Sequence, residues 1–235
     1  MVASGEPEYM TEPLEATKTG ALSLRSLEDG SFGELEDGKT VLAIGPGLGT
    51  HRQTQEFIRT ITTHTELPVV LDADGLNAFD GHARTFRRRK TKFFAVTPHP
   101  GEMARLLGAT TTKVESDRVA IARGSALKWN AHVILKGFHT LIASPEGQLF
   151  VNTSGNPGLA KGGSGDVLTG VLAALIAQFA EDKFRALALG VYLHGIAADL
   201  LATGDYDLSG MLASEVADNV PAARDWLLRE LRFGV

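Results

Sequence analysis

Cysteine is absent from this 235-residue chain, which excludes a disulfide framework, a zinc–thiolate site and a cysteine nucleophile. Long apolar runs are absent as well, since the longest, at 171–177, is too short to cross a bilayer. The first 40 residues hold nine acidic and three basic residues, and no apolar segment of the kind found in a secretory signal. We therefore expect a cytoplasmic protein without a membrane partner.

An excess of positive charge is also lacking, because 28 acidic residues outweigh 23 basic ones and give a formal net charge of -5. This balance argues against a protein that binds nucleic acid by neutralising phosphates. The basic run at 84–92 lies in acidic surroundings, so we interpret it as a solvated helix end or loop. With 43% hydrophobic residues, no internal repeat and no linker, residues 1–235 are expected to form a single packed domain.

Short apolar runs alternate with helical patterns along the chain. This order predicts an α/β fold with a mostly parallel sheet that is covered by helices on both faces. A segment at 21–27 could be a short helix or a strand. The predicted strands are 41–44, 68–71, 93–96, 133–135, 140–143 and 148–151, with a hairpin at the end. The predicted helices include one with a capping box of Thr50 and Gln53, one through 103–107, and others at 115–129, 166–180, 184–202 and in a pair around Pro221.

Glycine is concentrated at 155–170, where six of 16 residues are glycine, just before an apolar helical pattern. Gly162, Gly163 and Gly165 leave backbone N–H groups free to face a ligand, and the helix start adds the positive end of its dipole. Together they predict an anion hole for a transferring phosphoryl group. Asp166 could take a proton from an attacking hydroxyl there, or it could simply be the N-cap of the helix. The spacing matches neither a Walker loop nor a dinucleotide-binding fingerprint.

Three predicted strands end in polar or glycine-rich turns, at 45–49, 72–77 and 97–102. Ligands of open α/β sheets bind beyond such strand ends, so the three turns together indicate a site. Asp72 and Asp74 could bind Mg²⁺ through water or cap the following helix, and capping is the favoured interpretation. The nearby Asn77 and Glu102 are weaker candidates of the same kind.

Three basic side chains have both a functional and a structural interpretation. Lys136 ends a strand, where it could meet a phosphate or be a solvated surface lysine. His99 lies between two prolines that stiffen its loop, although a lone histidine is usually structural or solvated. His194 lies on an apolar helix, so we expect it to be buried and hydrogen-bonded rather than catalytic.

The sequence blocks resemble, in order and spacing, those of the ADP/ATP-dependent NAD(P)H-hydrate dehydratases of the ribokinase-like superfamily. The resemblance covers the chain from about residue 40. The matching blocks are AIGPGLG at 43–49, VVLDADGLNAF at 69–79, TPHPGEMARLLG at 97–108, VILKGFHTLIASPEG at 133–147, GNPGLAKGGSGDVLTG at 155–170, LHGIAADLLA at 193–202 and GMLASEV at 210–216.

This resemblance implies a ribokinase-like three-layer sandwich and an enzyme of nicotinamide cofactor repair. The implied reaction returns the S-epimer of NAD(P)H hydrate to NAD(P)H. ADP, or ATP, phosphorylates the ring hydroxyl, and phosphate then leaves; with ADP the other product is AMP. The implied cofactor is Mg²⁺, without an assigned protein ligand, and the implied assembly is a homo-oligomer, often a tetramer.

The resemblance also implies a role for each matching residue. Asp166 matches the family's catalytic aspartate, which contacts the hydrate. His99 and the turn that contains Gly47 and Gly49 match positions that bind the hydrated dinucleotide. The remaining matches are implied to bind the adenine nucleotide, and they are Lys136, Gly137, Phe138, His139, Thr140, Gly162, Gly163 and Gly165.

In the family, a first strand, a glycine-rich turn and a helix precede the region that matches 2–14, and they contribute to the site for the hydrate. We therefore expect this chain to lack that part of the domain, and nucleotide binding to be better preserved than turnover. Two alternatives remain. One is a ribokinase-like small-molecule kinase that acts on a hydroxymethyl group, and the other is a truncated, inactive nucleotide-binding protein.

Overall fold

The computed structural model describes residues 10–28, 30–203 and 207–233. Six strands form one sheet in the order β1-β2-β3-β4-β5-β6, with β1 to β4 parallel and β5 and β6 added antiparallel. This confirms the mostly parallel sheet and its final hairpin, and each predicted strand bound is right to within one residue. The strands are β1 Leu42–Ile44, β2 Val69–Leu71, β3 Phe94–Val96, β4 His132–Leu135, β5 Leu141–Ala143 and β6 Leu149–Val151.

The helices connect the parallel strands and then form a helical tail. They are α1 Arg25–Glu28, α2 Ser31–Glu36, α3 Arg52–His64, α4 Asp74–Asn77, α5 Pro100–Leu107, α6 Thr111–Ser116, α7 Arg118–Trp129, α8 Ser164–Gln178, α9 Lys183–Leu201 and α10 Ala213–Phe233. Short 3-10 turns cover Ala83–Arg88, Pro157–Leu159 and Leu208–Gly210.

The sheet is the middle of three layers, because both of its faces are buried. In β2, Val69 and Leu71 belong to one apolar cluster and Val70 to another, as expected for side chains that alternate across a strand. The first cluster includes residues of α3, α5 and α7, and the second includes residues of α8 and α9. Continuous apolar runs such as Val69–Leu71 are needed because neither face of these strands meets water.

Local polar contacts overturn two predictions about helix boundaries. The capping box of Thr50 and Gln53 is wrong, because His51 is the N-cap of α3 and its Nδ1 accepts a hydrogen bond from the backbone N–H of Gln53. The predicted helix 115–129 is divided, because Asp117 has an extended φ of -157° and its carboxylate accepts from Ala120 N–H to begin α7.

The predicted pair of helices around Pro221 is wrong, because α10 continues through it as one helix. A proline in a helix interior removes one backbone hydrogen bond and normally ends or kinks the helix. Here tertiary packing compensates. Val216 and Ala223, one on each side of the proline, lie in a buried cluster with residues of α9. The Asn219 side chain also donates to the Ala197 carbonyl of α9, at 2.7 Å.

α9 is long and apolar enough to cross a membrane by length and composition, but 56% of its most apolar stretch is buried within the protein. Leu187 and Val191 pack against the sheet, and Ala197 and Ala198 pack against α10. These are the contacts of a core helix.

His132 lies in a stack of aromatic rings at the start of β4, away from the functional cavity described below. Its ring is stacked on Phe93 at a centroid distance of 4.5 Å and lies 5.4 Å from Phe184, which is stacked in turn on Phe150. Burial lowers the pKa of His132 to about 4, and its Nδ1 has no hydrogen-bond partner in the described residues. The imidazole is therefore neutral in the folded protein.

His132 is expected to make stability depend on pH below neutrality. The unfolded imidazole titrates near its model value of 6.5 and the folded one near 4, so the unfolded state binds the proton first as the pH falls. At pH ~5, this difference in proton binding should lower the free energy of unfolding by about 2 kcal/mol. Chemical denaturation measures this effect. The difference in free energy of unfolding between His132→Phe and wild type should shift in favour of the variant by about that amount when the pH falls from ~7.5 to ~5. Parallel pH profiles for the two proteins would contradict this assignment.

Candidate active site

A cavity of about 800 Å³ opens at the carboxyl ends of β2 to β4, against the start of α8. This is the edge at which parallel α/β sheets bind ligands. It brings together most of the residues that the sequence singled out, although they are spread over 123 positions of the chain. Those that line the cavity are Asp72, His99, Glu102, Lys136, Gly137, Phe138, His139, Thr140, Gly162, Gly165, Asp166 and His194.

The start of α8 has the free backbone donors that the predicted anion hole requires. Gly163 is the N-cap residue and has a left-handed φ of 91°, which glycine adopts without strain. Within the described residues, the backbone N–H groups of Gly162, Gly163, Gly165 and Asp166 donate to no acceptor. Four free donors at the positive end of a 15-residue helix form an anion-binding site.

Asp166 is the third residue of α8, so its interpretation as the N-cap is wrong. Its side chain is exposed, lines the cavity, and makes no hydrogen bond or ion pair with any residue that the structure describes. A carboxylate in the first turn of a helix is stabilised by the helix dipole. Asp166 is therefore available to act as a base on a ligand bound at the anion hole.

A buried charge network lies beneath the anion hole. Lys136 Nζ is 2.7 Å from Asp72 Oδ1 and 3.8 Å from Glu102 Oε2, and the hydroxyl of Thr169 donates to Asp72 Oδ2 at 2.8 Å. The Asp72 side chain is 1% exposed and that of Lys136 19% exposed. A Cβ built on Gly165 would lie only 3.4 Å from Lys136 Nζ, so the ammonium group sits directly under the first turn of α8.

These contacts exclude one of the two interpretations offered for each of three residues at the strand ends. Lys136 is not a solvated surface lysine, because it is mostly buried and ion-paired. Neither aspartate caps α4, whose N-cap is Ala73 and which has no side-chain cap. The Asp72 carboxylate binds Lys136 and Thr169 instead, and that of Asp74 accepts from Gly49 N–H and the Asn77 side chain.

His99 combines a structural role with a place in the cavity wall. It is the N-cap of α5, and its Nδ1 accepts hydrogen bonds from the backbone N–H groups of Gly101, at 3.0 Å, and Glu102, at 3.4 Å. The Glu102 side chain completes a capping box by accepting from His99 N–H at 2.7 Å. An accepting Nδ1 assigns the ring proton to Nε2, which lies 3.6 Å from Glu102 Oε1.

The segment 136–140 forms one rim of the cavity. The Phe138 ring is 84% exposed and lies against the His139 ring, with centroids 3.9 Å apart. His139 has a positive φ of 54°, and its Nδ1 lies 3.3 Å from the Asn152 carbonyl. An exposed aromatic pair beside a phosphate-sized anion site is suited to stack on a nucleobase.

The turn after β1 lies outside the cavity lining, and so does Gly163. Gly49 N–H donates to Asp74 Oδ2 at 2.8 Å, which ties this turn to the end of β2. Gly45 has a φ of 138°, and a Cβ there would lie 1.7 Å from the Asp72 carbonyl oxygen, so only glycine permits this approach. The predicted contacts of Gly47 and Gly49 with a dinucleotide stay predictions.

The contacts that hold the part of the cavity wall at 152–156 were not predicted from the sequence. The Asp199 carboxylate of α9 accepts from Gly155 N–H at 2.7 Å and from the Asn156 side chain at 3.1 Å. Ser154 packs closely on Gly195, because a Cβ built on Gly195 would lie only 2.1 Å from the hydroxyl oxygen of Ser154. Contacts between residues about 40 positions apart leave no local pattern in the sequence.

His194 is buried, as expected, and interacts with the backbone of Ser164, while its Nε2 has no hydrogen-bond partner in the described residues. Burial lowers its pKa to about 4, a backbone interaction with Ser164 opposes that shift, and Lys136 adds to it. The imidazole therefore contributes a neutral polar surface to the cavity floor.

Comparison with known proteins gives the site a chemical context. A family model described as NAD(P)H-hydrate dehydratase matches residues 3–222. The ADP-dependent (S)-NAD(P)H-hydrate dehydratase of Neisseria meningitidis is 47% identical over 78% of this chain and 61% of its own length. The bifunctional NAD(P)H-hydrate repair enzyme Nnr of Moorella thermoacetica is 41% identical over 98% of this chain and 42% of its own length. The chain thus spans less than two thirds of either relative.

Solved structures agree with the sequence comparisons. The crystal structure of the Bacillus subtilis ADP/ATP-dependent NAD(P)H-hydrate dehydratase, co-crystallised with ATP/Mg²⁺, superposes with a TM-score of 0.71 at 35% identity. The match covers 80% of this chain and 65% of that one. Ribokinase from Thermotoga maritima has a TM-score of 0.54 at 16% identity over 90% of this chain and 68% of its own, a likeness of fold alone. This chain has a ribokinase-like fold and belongs to the NAD(P)H-hydrate dehydratase family.

Proposed function

We propose that the chain dehydrates the S-epimer of NAD(P)H hydrate back to NAD(P)H, with ADP as the phosphoryl donor and AMP and phosphate as the other products. One observation carries the proposal. A single cavity presents, at the start of α8, the unpaired backbone N–H donors of Gly162, Gly165 and Asp166 together with the unpaired carboxylate of Asp166. That is the arrangement needed to stabilise a transferring phosphoryl group and deprotonate its acceptor.

The first chemical step is phosphoryl transfer to the ring hydroxyl of the hydrate. The hydroxyl oxygen forms a bond to the terminal phosphorus of ADP, the bond from that phosphorus to AMP breaks, and the hydroxyl proton goes to Asp166. Negative charge on the transferring group would face the free N–H groups of Gly162, Gly165 and Asp166. In the second step the C–O bond breaks, phosphate leaves with the electron pair, and the neighbouring ring carbon gives up a proton to water, which restores the double bond.

The nucleotide is assigned to the side of the cavity formed by 136–140. The Phe138 and His139 rings offer a stacking surface, and Lys136 places a cation beneath the anion hole. Because Asp72 already compensates that cation, most of the attraction for phosphate comes from the N–H groups and the helix dipole.

Mg²⁺ fits this cavity only as an ion carried by the nucleotide. No group of three or more acidic or histidine side chains in the described residues could hold a metal. Asp72 and Glu102 are engaged by Lys136, which leaves Asp166 as a carboxylate without a protein partner. Bound to the substrate phosphates and to water, Mg²⁺ would neutralise phosphate charge there, and Asp166 would stay free to act as the base.

The test is recovery of the reduced-nicotinamide absorbance from hydrated NADH with purified chain, Mg²⁺ and ADP, with ATP in parallel. ADP-dependent recovery supports the proposal, and the ratio of the two rates decides the preferred donor. A phosphorylated product that accumulates would instead indicate a small-molecule kinase. ADP binding without recovery would indicate a nucleotide-binding protein that lacks this activity.

The cytoplasmic location and the homotetrameric assembly are part of the same proposal. The resemblance implies the assembly, and the location is our expectation from the sequence. Light scattering of the purified chain at several concentrations checks the assembly, with four chain masses as the expected result and a single chain mass as the contrary one.

A further inference from the structure

Arg118, the first residue of α7, lies behind the rim segment 136–140. Its Nη2 donates to the carbonyl oxygens of Leu135, at 3.1 Å, and Lys136, at 3.3 Å, and its Nη1 donates to the carbonyl oxygen of Phe138. One guanidinium group thus binds three carbonyl oxygens within residues 135–138, where β4 ends and the rim begins. The side chain is only 17% exposed and does not line the cavity.

The backbone of the rim is shaped to receive this guanidinium group. Gly137 has a φ of 139°, and a Cβ there would lie 2.9 Å from Arg118 Nη2. The planar group therefore packs directly on the glycine backbone. Arginine suits this position because its fixed fork of donors reaches several acceptors at once, whereas a lysine ammonium is a point charge on a flexible stem.

The other bonds of the rim lie towards its ends. Lys136 N–H donates to the Pro98 carbonyl at 2.9 Å, and Asn152 N–H donates to the Thr140 carbonyl at 2.9 Å. His139 Nδ1 lies 3.3 Å from the Asn152 carbonyl, and the Thr140 hydroxyl donates to the Gly137 carbonyl at 3.1 Å. Without Arg118, the carbonyl oxygens at the centre of the rim would lose their donor. A positive φ at His139, 54°, adds backbone strain that the surrounding contacts must offset.

The charge of Arg118 is only weakly compensated. Its ion-pair partner is Glu115, whose carboxylate is 51% exposed and lies 3.9 Å from Nε. An exposed pair at that distance contributes little. The guanidinium charge therefore also offsets the negative ends of the three carbonyl dipoles beside a cavity that must accept a polyanion.

We propose that Arg118 is a positioning residue for the nucleotide: it fixes segment 136–140 in the conformation that receives the adenine nucleotide, without touching the nucleotide itself. This inference rests on the proposed function, in that it takes the rim to be the nucleotide side of the cavity.

The test compares Arg118→Met and Arg118→Lys with the control Arg123→Met, which removes an exposed arginine from the same helix. The Kd for ADP and the KM for ADP should rise about tenfold or more in Arg118→Met, because hydrogen bonds from a charged donor are lost. The rise should be smaller in Arg118→Lys and absent in Arg123→Met. The KM for the hydrate should stay within about twofold in all three variants.

Hydrogen exchange distinguishes positioning from a general loss of stability. In Arg118→Met and Arg118→Lys, amide exchange at 136–140 should accelerate while exchange in β2 and β3 is unchanged. Unaltered exchange at 136–140, or equal increases in the KM values for ADP and hydrate, would overturn the inference. If wild type binds no ADP, the proposed function fails, and the exchange experiment still decides whether Arg118 fixes the rim.

Discussion

Asp166→Asn is expected to lower the turnover of hydrated NADH by about 10²- to 10⁴-fold, the usual contribution of a general base. The Kd for ADP should be unchanged or lower, because the carboxylate makes no bond within the described residues and its removal reduces repulsion of the phosphates. The free energy of unfolding should fall by about 1 kcal/mol or less, from the lost interaction with the helix dipole. Single-turnover kinetics and calorimetric ADP titration measure the two main quantities.

The matched control for this variant is Asp218→Asn, which removes an exposed carboxylate from α10 at a position outside the cavity. Its rate and ADP affinity should equal those of wild type. An Asp166→Asn protein that keeps more than about a tenth of the wild-type rate would remove Asp166 from the role of base.

Lys136→Met is expected to have the largest effect on stability of any single change at the site. It would leave the Asp72 carboxylate, 1% exposed, without its cation. Breaking a buried pair in this way typically costs about 3–5 kcal/mol. The Kd for ADP should rise as well, because the cation beneath the anion hole is lost. Chemical denaturation and ADP titration measure the two effects, and Lys128→Met, an exposed change on α7, is the control.

A double variant separates the two roles of Lys136. In Lys136→Met with Asp72→Asn, no buried charge is left unpaired at this contact, so most of the lost stability should return. The affinity for ADP should recover less than the stability, because the unpaired Asp72 carboxylate is gone but the cation beneath the anion hole is still missing. If the double variant instead loses the sum of the unfolding free energies lost in the two single variants, Lys136 and Asp72 do not stabilise each other.

The fold was largely predictable because its signals are local. Runs such as Val69–Leu71 and Phe94–Val96 are apolar and bounded by turn residues, and all six strands were found. Errors arose where a side chain competed with the local pattern. His51, rather than Thr50, caps α3, and Asp117 divides a continuous helical pattern. Packing of α10 on α9 outweighs the helix-breaking tendency of Pro221.

The candidate site was predictable in part. Its glycines indicated an anion hole because free backbone N–H groups require small residues, and the free N–H groups of Gly162 and Gly165 agree. The network beneath it was not predictable, because Asp72 and Lys136 are 64 positions apart and Asp72 and Thr169 are 97 apart. Such contacts follow from the strand order of the sheet, which the local pattern does not specify.

The central claim is that this chain joins phosphoryl transfer to dehydration in one cavity. The most direct test measures AMP, phosphate and reduced nicotinamide together, with purified chain, Mg²⁺, ADP and hydrated NADH, for wild type and Asp166→Asn. The account predicts that wild type forms the three products in equal amounts and that Asp166→Asn binds ADP but forms almost none. AMP formed without reduced nicotinamide, or equal rates in the two proteins, would contradict it.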